Sequence, residues 1–234
     1  MWNKPGQLNA IANILFVAAV VIAAYGVALF AARLPVFALH EVQVGRPLAH
    51  VTREQIEEVV KRDLAGNFFT LDLARLRAGF ERLPWVRRAD VRREWPDRID
   101  VTFEEQQPLA RWGPTEDGAL VNVHGEVFNA AYDGVLPVFS GPPASAAEIA
   151  AEYEYFHRNL AAINETPVRM QVSPRRAWRV QLASGMTLEL GRDDIEARLD
   201  RFVAVYARTV GQLSKRPDYV DLRYPNGFAV RMPG

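Results

Sequence analysis

The sequence predicts an α+β protein: a single N-terminal transmembrane helix, a small β-α-α-β-β domain, and a mixed α/β domain with a largely antiparallel sheet. Three observations carry that prediction. Residues 5–32 contain no Asp, Glu, Lys, Arg or His. Residues 39–103 read in the order strand, helix, helix, strand, strand, and residues 119–232 interleave short period-two runs with two helical segments. The chain has 234 residues, 28 Lys+Arg against 28 Asp+Glu, and no cysteine. Its hydrophobic fraction of 49% is enough for more than one core at this length. A phosphate-tracking surface would leave a basic excess, so neutrality argues against nucleic acid as a partner. Without cysteine there are no disulfides, no thiol chemistry and no Cys-type zinc site.

The apolar run from Ile11 to Ala32 is interrupted only by Asn13 among strongly polar residues. A spanning helix needs roughly 20 such residues at about 1.5 Å each. A cleaved signal peptide has a shorter apolar region, about 7 to 15 residues, ending in a small-x-small site. Gly26-Val27-Ala28 has that form, but Leu29-Phe30 continue the apolar pattern, and the run reads as an uncleaved anchor over residues 11–32. Lys4 precedes it and Arg33 follows, so flanking charge orients it only weakly. The layout places residues 1–10 as a cytoplasmic tail, too short to fold, and the bulk of the chain on the far side.

Residues 36–106 form the first domain. The alternation in Leu39-His40-Glu41-Val42-Gln43-Val44 predicts a strand. Thr52-Arg53-Glu54-Gln55 is a capping box, after which Ile56, Val59, Val60 and Leu64 share a helical face closed by Gly66. Asp72 caps a second helix that buries Leu73, Leu76 and Phe80 and stops before Pro84. Strands over 86–95 and 98–103 follow, joined at Pro96-Asp97. Arg87, Arg88, Arg92 and Arg93 are the densest basic cluster, read either as a face for an acidic partner or lipid head groups or as an exposed strand paired with Asp90, Glu94 and Asp97. Trp85 and Trp95 are expected to pack strand ends onto the helices.

Residues 107–234 form the second domain. Charge does not separate the two, with 13 basic and 13 acidic residues over 33–106, and 14 and 15 over 107–234. Pro108 to Trp112 leads into two short strands over 119–128 that turn at His124-Gly125. A helix over 144–163 places Ile149, Tyr153, Phe156 and Leu160 on one face, followed by strands over 168–172, 177–183 and 186–190. Asp193-Asp194 is expected to cap a helix burying Ile195, Leu199, Phe202 and Tyr206. Strands over 219–224 and 228–232 end the domain around the turn Pro225-Asn226-Gly227.

Leu83-Pro84-Trp85-Val86 followed by Val91-Arg92-Arg93-Glu94-Trp95-Pro96-Asp97 resembles the POTRA domain of the bacterial FtsQ (DivIB) cell-division family. The resemblance continues through Leu109-Ala110-Arg111-Trp112, Arg175-Arg176-Ala177-Trp178, Leu188-Glu189-Leu190-Gly191-Arg192, Arg201-Phe202 and Val220-Asp221-Leu222-Arg223-Tyr224 with Asn226-Gly227. It covers nearly the whole chain. What it implies is a division (divisome) scaffold in the inner membrane, single-pass type II with its N-terminus cytoplasmic and its bulk periplasmic, at the septum. The implied partners are FtsB and FtsL, bound by strand addition at the last strand. The corresponding contact residues are Tyr224, Asn226, Gly227, Phe228, Val230 and Met232, with Arg175 or Arg176 holding a carboxylate. Arg231 falls on the opposite face. Val91 and Arg93 mark a second partner face.

A different class with the same first domain is a POTRA-bearing periplasmic adaptor in envelope assembly or secretion, which would normally carry a barrel absent here. A membrane-tethered hydrolase finds no support in the residues. His40, His50, His124 and His157 lack metal-ligand spacing, and there is no nucleophile elbow, P-loop or dinucleotide loop. The expectation is no enzyme, no cofactor and no small-molecule substrate.

Overall fold

A computed structural model describes residues 5–32, 41–45, 48–95, 97–113 and 119–233. Lys4, Arg33, His40, Pro96 and the first two residues of the strand expected over 39–44 lie outside them. The chain divides into two compact units, Met1–Glu105 and Gln106–Gly234.

Helix α1, Pro5–Ala32, has a stretch Asn9–Val27 long and apolar enough to cross a membrane. The rest of the first unit is β1 (Glu41–Val44), α2 (Arg53–Asp63), α3 (Leu73–Phe80), β2 (Val86–Glu94) and β3 (Arg98–Glu105). The sheet order is β1-β3-β2, with β1 parallel and β2 antiparallel to β3. The capping box at Thr52 forms both of its bonds, and Asp72 accepts from the Arg75 amide. Helix α2 closes at Leu64, two residues before Gly66. Ile56, Val59, Leu76, Phe80, Ile99 and Val101 fill the core between the helices and the sheet. Each fully buried aliphatic or aromatic side chain there contributes about 1.5–3 kcal/mol.

Two polar devices hold this unit. The Glu105 carboxylate, at the end of β3, accepts from the amides of Ala49, His50 and Val51, fixing the entry to α2. Asp63, 4% exposed, accepts from Arg62 at 2.9 Å and from Arg75 at 3.4 Å. The Arg62 hydrogen bond is the main reason its carboxyl is held below the ordinary aspartate value, against the opposing effect of burial.

The arginine cluster is largely spent within the fold. Arg87 pairs with Glu104 at 2.6 Å and Arg92 with Asp90 at 2.5 Å. Arg93 donates to the carbonyls of Phe68 and Leu71 at 2.7 and 2.6 Å, clasping the turn before α3. Trp85 packs on the core and stacks on His50 at 3.9 Å. Trp95 does not pack as expected. It is 76% exposed, because β2 ends at Glu94 and the indole lies beyond the last paired residue.

The second unit is a nine-stranded mixed sheet with two helices on one face. Its elements are β4 (Pro108–Trp112), β5 (Ala119–Asn122), β6 (Val127–Phe128), β7 (Val138–Ser140), α4 (Ala146–Ala161), β8 (Pro167–Val172), β9 (Trp178–Leu182), β10 (Thr187–Gly191), α5 (Ile195–Tyr206), β11 (Tyr219–Asp221) and β12 (Ala229–Arg231). The order is β12-β11-β10-β9-β8-β7-β4-β5-β6. Parallel joins occur at β4–β7, β7–β8 and β10–β11, and the others are antiparallel. Parallel neighbours need a crossover, and α4 and α5 supply two of the three. Met170, Val172, Val180, Leu188, Leu190 and Val220 meet Ile149, Phe156, Leu160, Leu199 and Phe202 in one core.

At the far edge, fully buried Asn122 organises the β5–β6 turn. Its side-chain oxygen accepts from the amides of His124 and Glu126, and its nitrogen donates to Gln106 and Glu126. Gly125 in that turn has φ +77°, and a Cβ there would collide with the backbone of Ala147. Replacing Arg93 with alanine should lower the urea midpoint of the first unit at unchanged m-value, by about 1 kcal/mol for the lost clasp, measured by circular dichroism.

Candidate functional site

The register of β10, β11 and β12 builds the C-terminal edge row by row. Val180, Leu188, Val220 and Val230 align across the sheet on the helix-bearing face. On the opposite face one row runs Arg179, Glu189, Asp221, Ala229 and the next Gln181, Thr187, Tyr219, Arg231. Successive residues alternate between faces, so Phe228, Val230 and Met232 share the first face and Arg231 the second. Val230 and Met232 are 43% and 40% exposed.

β12 is an edge strand whose backbone has an open side. The amide of Thr187 donates to the Asp218 carbonyl, and that of Leu222 to the Glu189 carbonyl. The Asp218 carbonyl, Val220 and the Leu222 amide therefore face β10, while the Asp218 amide donates to the Arg231 carbonyl at 3.1 Å and 219 and 221 direct their main-chain groups to β12. Ala229 and Arg231 answer them. By alternation, the N–H and C=O of Val230 point away from the sheet, and among the described residues no strand takes them.

Helix α5 holds the approach to this edge. Arg201 donates to the Tyr224 carbonyl at 3.2 Å. Phe228 packs on the core, its ring edge-on to Phe202 at 5.6 Å between centroids. Tyr224 itself is 54% exposed. Tyr155 of α4 donates to Asp200 of α5 at 2.7 Å, and chiefly for that reason its phenol is pushed up to about 12. Asp194, expected as a side-chain cap, begins α5 at φ +53° without a cap bond, because a left-handed backbone aims its carboxylate away from the first amides.

The loop 173–177 lies at the same end of the sheet as Tyr224 and Gly227, since Trp178 opens β9 opposite Gly191, which closes β10. Arg176 there has φ +64° and pairs with Glu148 at 2.5 Å. Arg175 is exposed, and among the described residues no carboxylate lies within ion-pair reach of it. Sequence reasoning missed Arg223, whose guanidinium grips Asp221 with two bonds of 2.8 and 2.6 Å. Those bonds are the main cause of the lowered Asp221 carboxyl and of an Arg223 held protonated more firmly than usual. A basic residue two positions after the aspartate that ends β11 was the available signal.

Val91 and Arg93, the second expected face, sit differently. Val91 is 4% exposed within the core of the first unit, and Arg93 is engaged by the 68–71 turn. His50, His124 and His157 occupy a stacking position, a turn and a helix face. Among the described residues no group of three or more His, Asp or Glu side chains could hold a metal.

The POTRA domain, FtsQ-type, matches residues 37–106, and the FtsQ/DivIB C-terminal domain of cell division proteins matches residues 110–223. Cell division protein FtsQ of Nitrosospira multiformis is 44% identical, over 99% of both chains. The chain belongs to the FtsQ/DivIB family. Its FtsQ relative from Burkholderia pseudomallei is 41% identical over all of this chain and 95% of that one, and the one from Neisseria gonorrhoeae 32% identical over 99% and 95%. The chain is thus a cell-division protein with a POTRA domain, and its N-terminal apolar helix fits a single-pass membrane protein. Membership in this cell-division family sets it apart from the envelope-assembly adaptors that share the POTRA module.

Asp221 binds its proton less readily when folded, so its contribution to stability is present above its ordinary 3.8 and is lost as pH falls through the lowered folded value. Asp221→Asn should therefore destabilise the second unit at neutral pH. The gap from the parent should narrow in acid, as read from melting temperature against pH.

Proposed function

We propose that the chain is a divisome scaffold that recruits and aligns FtsB and FtsL, linking early to late division proteins at the septum by binding alone. Residues 1–10 would be cytoplasmic, 11–32 would span the inner membrane, and 36–106 and 107–234 would be periplasmic. The observation that carries the reading is the open main-chain edge of β12 flanked by exposed Tyr224, Val230 and Met232. A partner strand added there gains backbone hydrogen bonds along the edge and apolar burial on one face. Arg175, without an acidic neighbour in this fold, is the stronger candidate of its pair to hold a partner carboxylate, since Arg176 already holds Glu148. Asn226 and Gly227 shape the turn that delivers Phe228 to the edge.

Phe228 has two roles in this proposal. Its ring supports the edge from the Phe202 side, so a charged substitution there disturbs the fold as well as the contact. Tyr224 separates the two, because its side chain is exposed and only its carbonyl is held. Anchoring all partners in one membrane raises their effective concentration, so a modest interface suffices. The POTRA domain contributes a second contact surface, with β2 as an edge strand; Val91 acts there through its backbone and Arg93 by shaping the adjoining turn.

Depletion should produce long cells without septa, scored by microscopy, and normal septation would remove the division role. Tyr224→Glu should abolish co-purification with FtsB while circular dichroism stays unchanged, and Arg175→Ala should weaken it by about tenfold. Full binding by both variants would put the interface elsewhere.

A further inference from the structure

The outward rows of the sheet specify more than a strand. In the row Arg179, Glu189, Asp221, Ala229, the charges are matched: Arg179 donates to Glu189 at 2.9 Å, and Arg223 closes on Asp221. A residue added beside Ala229 meets no open charge. The next row ends differently. Arg231 lies over the Tyr219 ring, 5.0 Å from its centroid, and is ion-paired with Asp218 through its Nε alone, at 3.3 Å. Both terminal amino groups of Arg231 lack an acceptor among the described residues, and the side chain is 69% exposed at the edge.

We infer that the segment added at β12 is an alternating strand with apolar side chains beside Phe228, Val230 and Met232 and a carboxylate beside Arg231, making Arg231 the residue that selects the partner's register. This rests on the strand-addition reading above. The spacing is fixed by geometry: directly opposed side chains on one face lie about 4.5–5.5 Å apart, within reach of a guanidinium fork and a Glu or Asp. The ring of Tyr219 holds the guanidinium from below and limits its freedom, so less entropy is lost when a carboxylate arrives. A one-residue slip would set an apolar side chain beside Arg231 and the carboxylate beside Val230, which penalises the wrong register twice.

The test uses the full chain in lipid nanodiscs and the purified periplasmic part of FtsB, with affinities from biolayer interferometry. Val230→Pro removes the outward amide and reports on strand addition itself, since an edge strand tolerates proline where its N–H faces out. Arg231→Glu should weaken binding by about tenfold, and one FtsB variant with a single acidic residue changed to lysine should restore it. If Val230→Pro abolishes binding while Arg231→Glu stays within about twofold, the charge assignment is wrong and strand addition stands. Loss with Arg231→Glu that no lysine variant rescues likewise overturns the assignment, because the effect is then on the fold. Undiminished binding by Val230→Pro overturns strand addition, and the inference with it.

Discussion

Everything at the C-terminal edge depends on the crossover made by α5. β11 runs parallel to β10, so the chain must return to the starting end of the sheet before it can pair, and only a connection of helical length allows that. Leu199 and Phe202 fasten the helix to the same core that Val220 enters from the sheet. The helix then reaches forward, Arg201 to the Tyr224 carbonyl and Phe202 to the Phe228 ring. Its apolar side thus builds the core, and its next residues set the path of the chain into β12.

Electrostatics refine this frame without driving it. The two halves are close to neutral, and the buried carboxylates Asp63, Glu189 and Asp221 each have an arginine on them. Such pairs satisfy groups whose desolvation would otherwise be costly, and they orient strands more than they stabilise them. Around β12 the same logic leaves the guanidinium ends of Arg231 open next to closed pairs. Arg231 is paired with Asp218 through Nε at 3.3 Å, and its two terminal amino groups, without an acceptor among the described residues, favour a partner that brings a second carboxylate to the edge.

Where the sequence could be read, the signal was local. The capping box at Thr52, the Asp72 cap, the turn at Gly125 and the face of α5 all depend on residues a few positions apart. Where it could not, a distant contact decided. β7 has three residues and no pattern of its own; it is a strand because β4 and β8 flank it. Trp95 looked like a core residue by type and is exposed because β2 ends one residue earlier. Asp194 had the right identity for a cap but the wrong backbone. Val91 and Arg93 stood in a motif whose residues turn out to serve the fold of their own unit.

The sequence by itself determined the apolar helix, the β-α-α-β-β order, the family, and the alternation that puts Phe228, Val230 and Met232 on one face. These are properties of spacing along the chain, where the periods of helix and strand act directly. The tertiary structure alone decided that β12 lies at a sheet edge, that Arg175 rather than Arg176 is free of an acidic neighbour, and that Asp221 is held by Arg223. Strand order and ion-pair choice depend on which segments meet after two crossovers, and no local pattern encodes that meeting.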